Sequence, residues 1–166
     1  MAAARGRFLA PLLLGVALMA LAPSAAGSSG PAVRGGGVVA GAPGTTSQLG
    51  FTATSAGGSF LCVMAGRSGG FPFKPWLNIQ QMHVQGRVTP GSLSIAGGVA
   101  TFSGTATIHV VGTTSTGRLD MTLSNMAFVS TQAAGGAGVA WHQLDVPGVG
   151  VFGPEKMATG HITIWP

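Results

Sequence analysis

Residues 99–111 read VATFSGTATIHVV, and along this stretch apolar and polar side chains alternate. The apolar positions that share one face of an extended strand are Ala100, Phe102, Ala106, Ile108 and Val110. The positions on the opposite face carry hydroxyls and one imidazole, namely Thr101, Ser103, Thr105, Thr107 and His109. A period of two residues is that of a β-strand, and a sheet with one packed and one solvated face shows this alternation. The stretch therefore predicts a strand in a sheet with one apolar side.

The same alternation recurs along most of the chain, and no stretch of 11 residues has helical spacing. The predicted strands are residues 38–41, 48–54, 59–65, 78–88, 92–96, 99–111, 118–124, 126–132, 138–142 and 158–165. Glycine-rich and proline-rich turns separate them. Eight to ten short strands with short links predict an all-β fold, either an antiparallel barrel or a two-sheet sandwich. We favour the barrel, because a last strand ending at Trp165 can pair with residues 38–41 and so remove both sheet edges.

Composition places the chain among globular domains. It has 166 residues, of which 46% are hydrophobic, 7% are charged and 29 are glycine. This length allows one domain, and the hydrophobic content is too high for a disordered chain. Typical soluble domains carry about 25% charged residues, so the low charge disfavours coiled coils and salt-bridged helical bundles.

The first 26 residues are built like a signal peptide for export. Arg5 and Arg7 precede an apolar run of about 15 residues, and small residues at 24–26 form a cleavage site before Gly27. A membrane-spanning helix needs about 20 residues, so we expect cleavage and a secreted or periplasmic mature protein that does not span the membrane. Residues 27–36 are predicted to be a flexible N-terminus, and residues 37–166 a single β domain.

Charge argues against nucleic acid as a partner. Without Arg5 and Arg7 the chain keeps six cationic and three acidic residues, a net charge of +3. These cations are scattered singly, whereas a groove that follows phosphates needs clustered cations with aromatic residues between them. No motif implies a cofactor, and the partner is left open among an extracellular protein, a glycan and a small apolar ligand.

Residues 67–76 (RSGGFPFKPW) and 146–156 (VPGVGVFGPEK) break the alternation and are predicted to be loops, the second of them alternatively an edge hairpin. In the first loop the candidate ligand-binding residues are Arg67, Phe71, Phe73, Lys74 and Trp76. Aromatic side chains on a loop can form a stacking platform, and the two cations can engage an anion. Alternatively, these aromatics fold back and close one end of the core.

Four histidines raise the question of a metal site, because neutral imidazole is a common metal ligand. His83, His109 and His161 are weak candidates, since all three fall on polar faces. No two histidines are spaced as ligands within one strand, and we expect no acidic residue beside them to orient a ring. We therefore predict no metal site, and leave open whether the polar faces point inward or to solvent.

Catalytic residues are not predicted. The three carboxylates, Asp120, Asp145 and Glu155, fall in different segments, which disfavours paired acid–base hydrolysis. The sole cysteine, Cys62, lies in the apolar run 60–64 and is predicted to be a small buried hydrophobic residue. Pairing with another chain and a reactive thiol are the alternatives for Cys62.

Residues 91–112 (GSLSIAGGVATFSGTATIHVVG), preceded by Gly35-Gly36-Gly37 and LGFTA at 49–53 and followed by GHITI at 160–164, resemble the small glycine-rich β domains of exported bacterial proteins, the post-COAP domains being the nearest. Where those domains carry an aspartate-rich segment after the central hairpin, this chain has Asp120. The resemblance implies a β fold and an extracellular setting, and it carries over no catalytic residue.

These observations favour an exported, non-enzymatic β domain that acts as an extracellular binding or cell-surface accessory module. The alternative is a barrel that carries a small apolar ligand inside, and the third hypothesis is a secreted hydrolase that uses a histidine. The carrier requires an internal cavity, and the hydrolase requires a buried polar pocket.

Overall fold

A computed structural model of the chain describes residues 30–41, 45–68 and 76–166. The strands in these segments are, in chain order, β1 (Ala32–Ala40), β2 (Thr46–Thr54), β3 (Gly57–Ser68), β4 (Trp76–Val88), β5 (Ser94–Ala96), β6 (Val99–Thr114), β7 (Gly117–Ala133), β8 (Gly135–Gly136), β9 (Trp141–Val146) and β10 (Gly150–Trp165). None of the described segments forms an apolar helix of membrane-spanning length. The predicted all-β fold is confirmed.

Eight strands close into an antiparallel barrel in the order β1-β2-β3-β4-β6-β7-β9-β10, and β10 pairs with β1. The two short strands, β5 and β8, pair with β6 and β10. At the closing seam Ala32 lies opposite Trp165, and Gly37 lies opposite Gly160. The predicted pairing of the first and last strands is confirmed, and the barrel rather than the sandwich is the fold.

Glycine allows the closing seam to form. Gly160 has φ +103°, and a Cβ there would overlap the carbonyl oxygen of Gly36 on the neighbouring strand. Gly37, opposite it, has φ +148° and a similar conflict with the Thr159 carbonyl. Side chains at either position would force β1 and β10 apart, so the glycine-rich composition here serves close strand approach.

The apolar face of every long strand points into the barrel, and the polar face points to solvent. Four phenylalanines form the centre of the interior. Phe60 stacks on Phe128 at 4.9 Å between ring centroids, and Phe102 meets Phe51 at 5.6 Å and Phe128 edge-on at 6.4 Å. Residues that pack around them at 0% exposure include Met64, Ile79, Met82, Val84, Ile108, Val110 and Leu144.

Most strand boundaries differ from the sequence prediction, and three of the differences have a clear physical reason. β1 begins at Ala32 rather than near Gly37, because β2 and β10 supply hydrogen-bond partners on both sides of this glycine-rich stretch. Predicted strands 118–124 and 126–132 are one strand, β7, with a bulge where Asn125 adopts φ 56°. Part of the predicted loop 146–156 belongs to β10, whose pairing with β9 continues past a register shift between Phe152 and Glu155.

Candidate functional site

The barrel interior contains three polar side chains, on β7 and β9, that are linked by hydrogen bonds. The Gln132 amide nitrogen donates to Ser130 Oγ at 2.7 Å and to His142 Nδ1 at 2.8 Å. All three residues are at most 1% exposed, and the His142 ring lies 6.0 Å from that of Phe60. Because the amide nitrogen can only donate, His142 Nδ1 accepts, and a neutral ring then carries its proton on Nε2. These three side chains pack within the core and are closed to solvent.

The outer face of the barrel carries a cross-strand row of hydroxyls and guanidinium groups, which we call the hydroxyl belt. Its members follow from register and are, from β10 through β1, β2, β3 and β4 to β6, Thr163, Arg34, Thr52, Ser59, Arg87 and Thr105. All are exposed except Thr163, which is half-buried. Thr52 and Ser59 hydroxyls at the centre of the belt lie 3.4 Å apart.

Each arginine of the belt stands beside a surface depression of about 440 Å³. Arg34, Thr52, Thr163 and His161 line the first, together with backbone of Gly35 and Gly36. The second depression is lined by Ser59, Gln85, Arg87, Thr105, Thr107 and Asn125, with Gly86 and Ala106. These volumes lie in the range of small-ligand sites, about 300–1,000 Å³.

Glycines form the floor next to the first depression. Gly36 lies between Gly50 on β2 and His161 on β10, and His161 in turn lies opposite Gly136. A Cβ built on Gly50 meets nothing within 4 Å, so the surface there is open. The missing side chains at 36 and 50 leave a gap in the outer face beside Arg34 and Thr52, between the exposed residues His161 and Leu61.

An aromatic side chain packs against Arg34, one of the residues that line this depression. The Arg34 guanidinium carbon lies 5.0 Å from the ring centroid of Trp165, which is 40% exposed. A cation held over an indole face is restricted in its motion while it keeps outward-facing donors. Arg34 is therefore positioned to hydrogen-bond a polar or anionic ligand.

The structure brings two of the three candidate histidines together and leaves the third apart. His83 on β4 and His109 on β6 lie directly opposite each other on the outer face, and His161 lies on β10. His109 Nε2 is 2.6 Å from Oδ1 of Asp120. The inference that no acidic residue adjoins the histidines is thus wrong, because antiparallel pairing of β6 and β7 brings Asp120 beside a residue eleven positions away. Among the described residues, no group of three or more His, Cys, Asp or Glu is placed to hold a metal ion.

The predicted ligand-binding loop is described at its two ends. Arg67 belongs to β3 and Trp76 opens β4, and the structure describes their backbones. Phe71, Phe73 and Lys74 lie outside the described residues. The belt residues were not identified from the sequence, because the pairing of six strands defines the row.

The groups that hydrolysis would need are distributed over several places. Asp120 contacts His109 on the surface, Asp145 lies on β9, and Glu155 is buried at 2% exposure on β10. The predicted burial of Cys62 is confirmed, at 0% exposure. Within the described residues, the side chain of His109 hydrogen-bonds Asp120, and no serine or threonine hydroxyl hydrogen-bonds it.

No protein-family model, curated protein or solved structure matches this chain.

Proposed function

We propose that this protein is an exported, non-enzymatic binding module whose outer face holds an extended, acidic glycan. The observation that carries the proposal is the hydroxyl belt, in which Arg34 and Arg87 flank Thr52 and Ser59 on neighbouring strands. Neighbouring strands are about 4.8 Å apart, so the two arginines lie about 14 Å apart along the surface. A ligand that reaches both is longer than a single sugar.

The chemistry of the belt matches a hydroxyl-rich, anionic chain. Threonine and serine hydroxyls both donate and accept, as sugar hydroxyls do, and guanidinium groups bind carboxylates in a bidentate manner. Trp165 beside Arg34 offers a partly exposed aromatic edge next to the first depression. Exposed arginines separated by small polar side chains suit a flexible polymer that runs over the surface.

The filled interior favours this module over the carrier hypothesis. Phe51, Phe60, Phe102 and Phe128 pack in mutual contact at the barrel centre. Protein cores of this kind are close-packed, so an apolar ligand inside would have to displace these side chains. Contacts with a ligand on the outer face require no such displacement.

The test is retention of the exported protein on gels that contain an acidic polysaccharide (alginate or polygalacturonate) or a neutral one (dextran). We expect retardation by the acidic polymer, weakened about fivefold by Arg34→Gln and by Arg87→Gln, since an exposed charge pair contributes up to about 1 kcal/mol. Arg118→Gln is the matched control, because Arg118 is exposed on β7 outside the belt and the charge change is identical. Equal weakening by all three variants would refute the belt and indicate a general charge effect.

Export is tested separately by intact mass. A secreted protein whose mass begins at Gly27 supports the signal peptide, and a full-length mass in the cell pellet contradicts it.

A further inference from the structure

A second feature of the outer face involves His83 and His109. They are opposite residues of the antiparallel pair β4 and β6, and both are half-buried on the solvent side. The Cβ atoms of directly opposite residues are about 4.5–5.5 Å apart. Imidazole nitrogens bind zinc-like ions at about 2.0–2.1 Å, so two rings at this spacing can converge on one ion.

Asp120 orients one of these rings. Its Oδ1 lies 2.6 Å from His109 Nε2, and an ionised carboxylate can only accept a hydrogen bond. Nε2 therefore carries the proton, and the neutral His109 ring presents the lone pair of Nδ1. Histidines that bind metals commonly donate their second N–H to a carboxylate in this way.

The charges around the pair suit a cation. The residues two positions away on the same faces are all uncharged. They are Gln81 and Gln85 beside His83, and Thr107 and Val111 beside His109. Val63 lies opposite His83 on β3, and Thr122 lies opposite His109 on β7. Among the described residues, Asp120 is the charged side chain that hydrogen-bonds the pair, through His109, and an ionised carboxylate is negative.

We propose that His83 and His109 bind one divalent transition-metal ion of the copper, nickel and zinc class, with water in the remaining coordination positions and Asp120 as a positioning residue. Imidazole ligands suit these ions, and for a given nitrogen site Cu²⁺ binds most tightly of the series. Mg²⁺ and Ca²⁺ prefer oxygen ligands and are not held here. This site uses two protein ligands and does not rest on the proposed glycan surface, although Gln85 and Thr107 both flank the pair and line the second depression.

The experiment titrates Cu²⁺ alone, and separately Ni²⁺ and Ca²⁺, into the tag-free exported protein in a buffer with a weak competing chelator. Calorimetry gives affinity and stoichiometry, and electron paramagnetic resonance of the Cu²⁺ complex counts coordinated nitrogens. We expect one site with two imidazole nitrogens, Ni²⁺ weaker than Cu²⁺, and no heat with Ca²⁺. His83→Gln and His109→Gln should each weaken Cu²⁺ binding at least tenfold and reduce the nitrogen count to one.

His161→Gln is the matched control, because His161 is an exposed histidine on a different strand. It should leave the affinity unchanged. The proposal is overturned if the wild-type chain binds no Cu²⁺, if His161→Gln weakens binding as much as His83→Gln, or if the spectrum shows a single nitrogen. His83→Gln and His109→Gln replace outward-facing side chains, and an unchanged melting temperature would show that both variants fold.

The role of Asp120 has its own readout. Asp120→Ala should weaken Cu²⁺ binding about tenfold, the lower end of the effect of such supporting carboxylates, while the spectrum still shows two nitrogens. Asp120→Asn should recover part of the loss, since its amide oxygen still accepts from His109 Nε2. An alanine variant that binds as tightly as wild type would refute the positioning role.

Discussion

Replacing Gly104 with alanine should destabilise the barrel, although alanine is normally an easy substitution for glycine in a strand. Gly104 lies on the inner face of β6 opposite Val88 of β4 and Phe128 of β7. A Cβ at this position would overlap the carbonyl oxygen of Arg87 and approach the Phe128 ring at 2.8 Å. Backbone cannot move aside as a flexible side-chain end can, so β4 and β6 must separate locally.

The expected loss of unfolding free energy follows from the interactions that local separation of β4 and β6 disrupts. Loss of about two ladder hydrogen bonds costs roughly 2–3 kcal/mol, and crowding of a packed ring adds about 1–3 kcal/mol. The lower chain entropy of alanine returns about 0.5–1 kcal/mol. The expected net loss is about 2–5.5 kcal/mol, a large part of the roughly 5–15 kcal/mol that stabilises a domain. For a domain of this size the melting temperature should fall by roughly 4–22 °C.

Gly50→Ala is the matched control for Gly104→Ala. Both glycines lie in barrel strands with φ outside the left-handed region, but a Cβ on Gly50 points into open space on the outer face. This variant should be neutral or stabilised by up to about 1 kcal/mol. Thermal and urea unfolding followed by tryptophan fluorescence compares the two. If the two variants differ in unfolding free energy by less than about 1 kcal/mol, the steric reasoning is refuted.

Three further substitutions or treatments probe the core. Phe128→Ala should cost about 3–5 kcal/mol in urea unfolding, whereas Val139→Ala, at a site 69% exposed, should change stability by less than about 0.5 kcal/mol. Gln132→Met removes the donor to Ser130 and His142 and should cost about 1–3 kcal/mol, and an unchanged urea midpoint would contradict the buried hydrogen-bond chain. The Cys62 thiol should react with a thiol reagent at the rate of global unfolding and rapidly in urea, and fast labelling of the folded protein would show that it is accessible.

The alternation within each strand was sufficient to divide its residues between two faces, and the structure places the apolar face inside. In β6 the predicted apolar row from Ala100 to Val110 is the buried row, because a period of two leaves a strand two possible orientations and the hydrophobic effect selects one. The sequence did not predict that 118–124 and 126–132 form one strand. The bulge at Asn125 shifts the alternation by one residue, and in a single sequence such a shift looks like a strand end.

The contact between His109 and Asp120 could be predicted from the sequence, whereas the hydroxyl belt could not. The glycine-rich turn between β6 and β7 was identified, and a hairpin centred between residues 115 and 116 places His109 opposite Thr122 and next to Asp120. Predicting this contact requires the position of one turn only. The belt needs the register of five successive strand pairs, and an error of one residue in any of them moves a member of the row to the inner face.

Strand register also explains how a chain with few charges can form a charged site on its outer face, because it brings together residues that lie far apart in the sequence. The arginines of the belt are 53 positions apart in sequence, from Arg34 to Arg87, and neither has a charged neighbour beside it in the chain. Closure of the barrel, with β10 against β1, adds Thr163 to the end of the row beside Arg34. Because Gly36 and Gly50 have no side chains, the outer face beside Arg34 and Thr52 is open on that side. A side chain larger than alanine at position 50 should therefore lower affinity for an acidic polymer without lowering stability, which separates the shape of this surface from its charge.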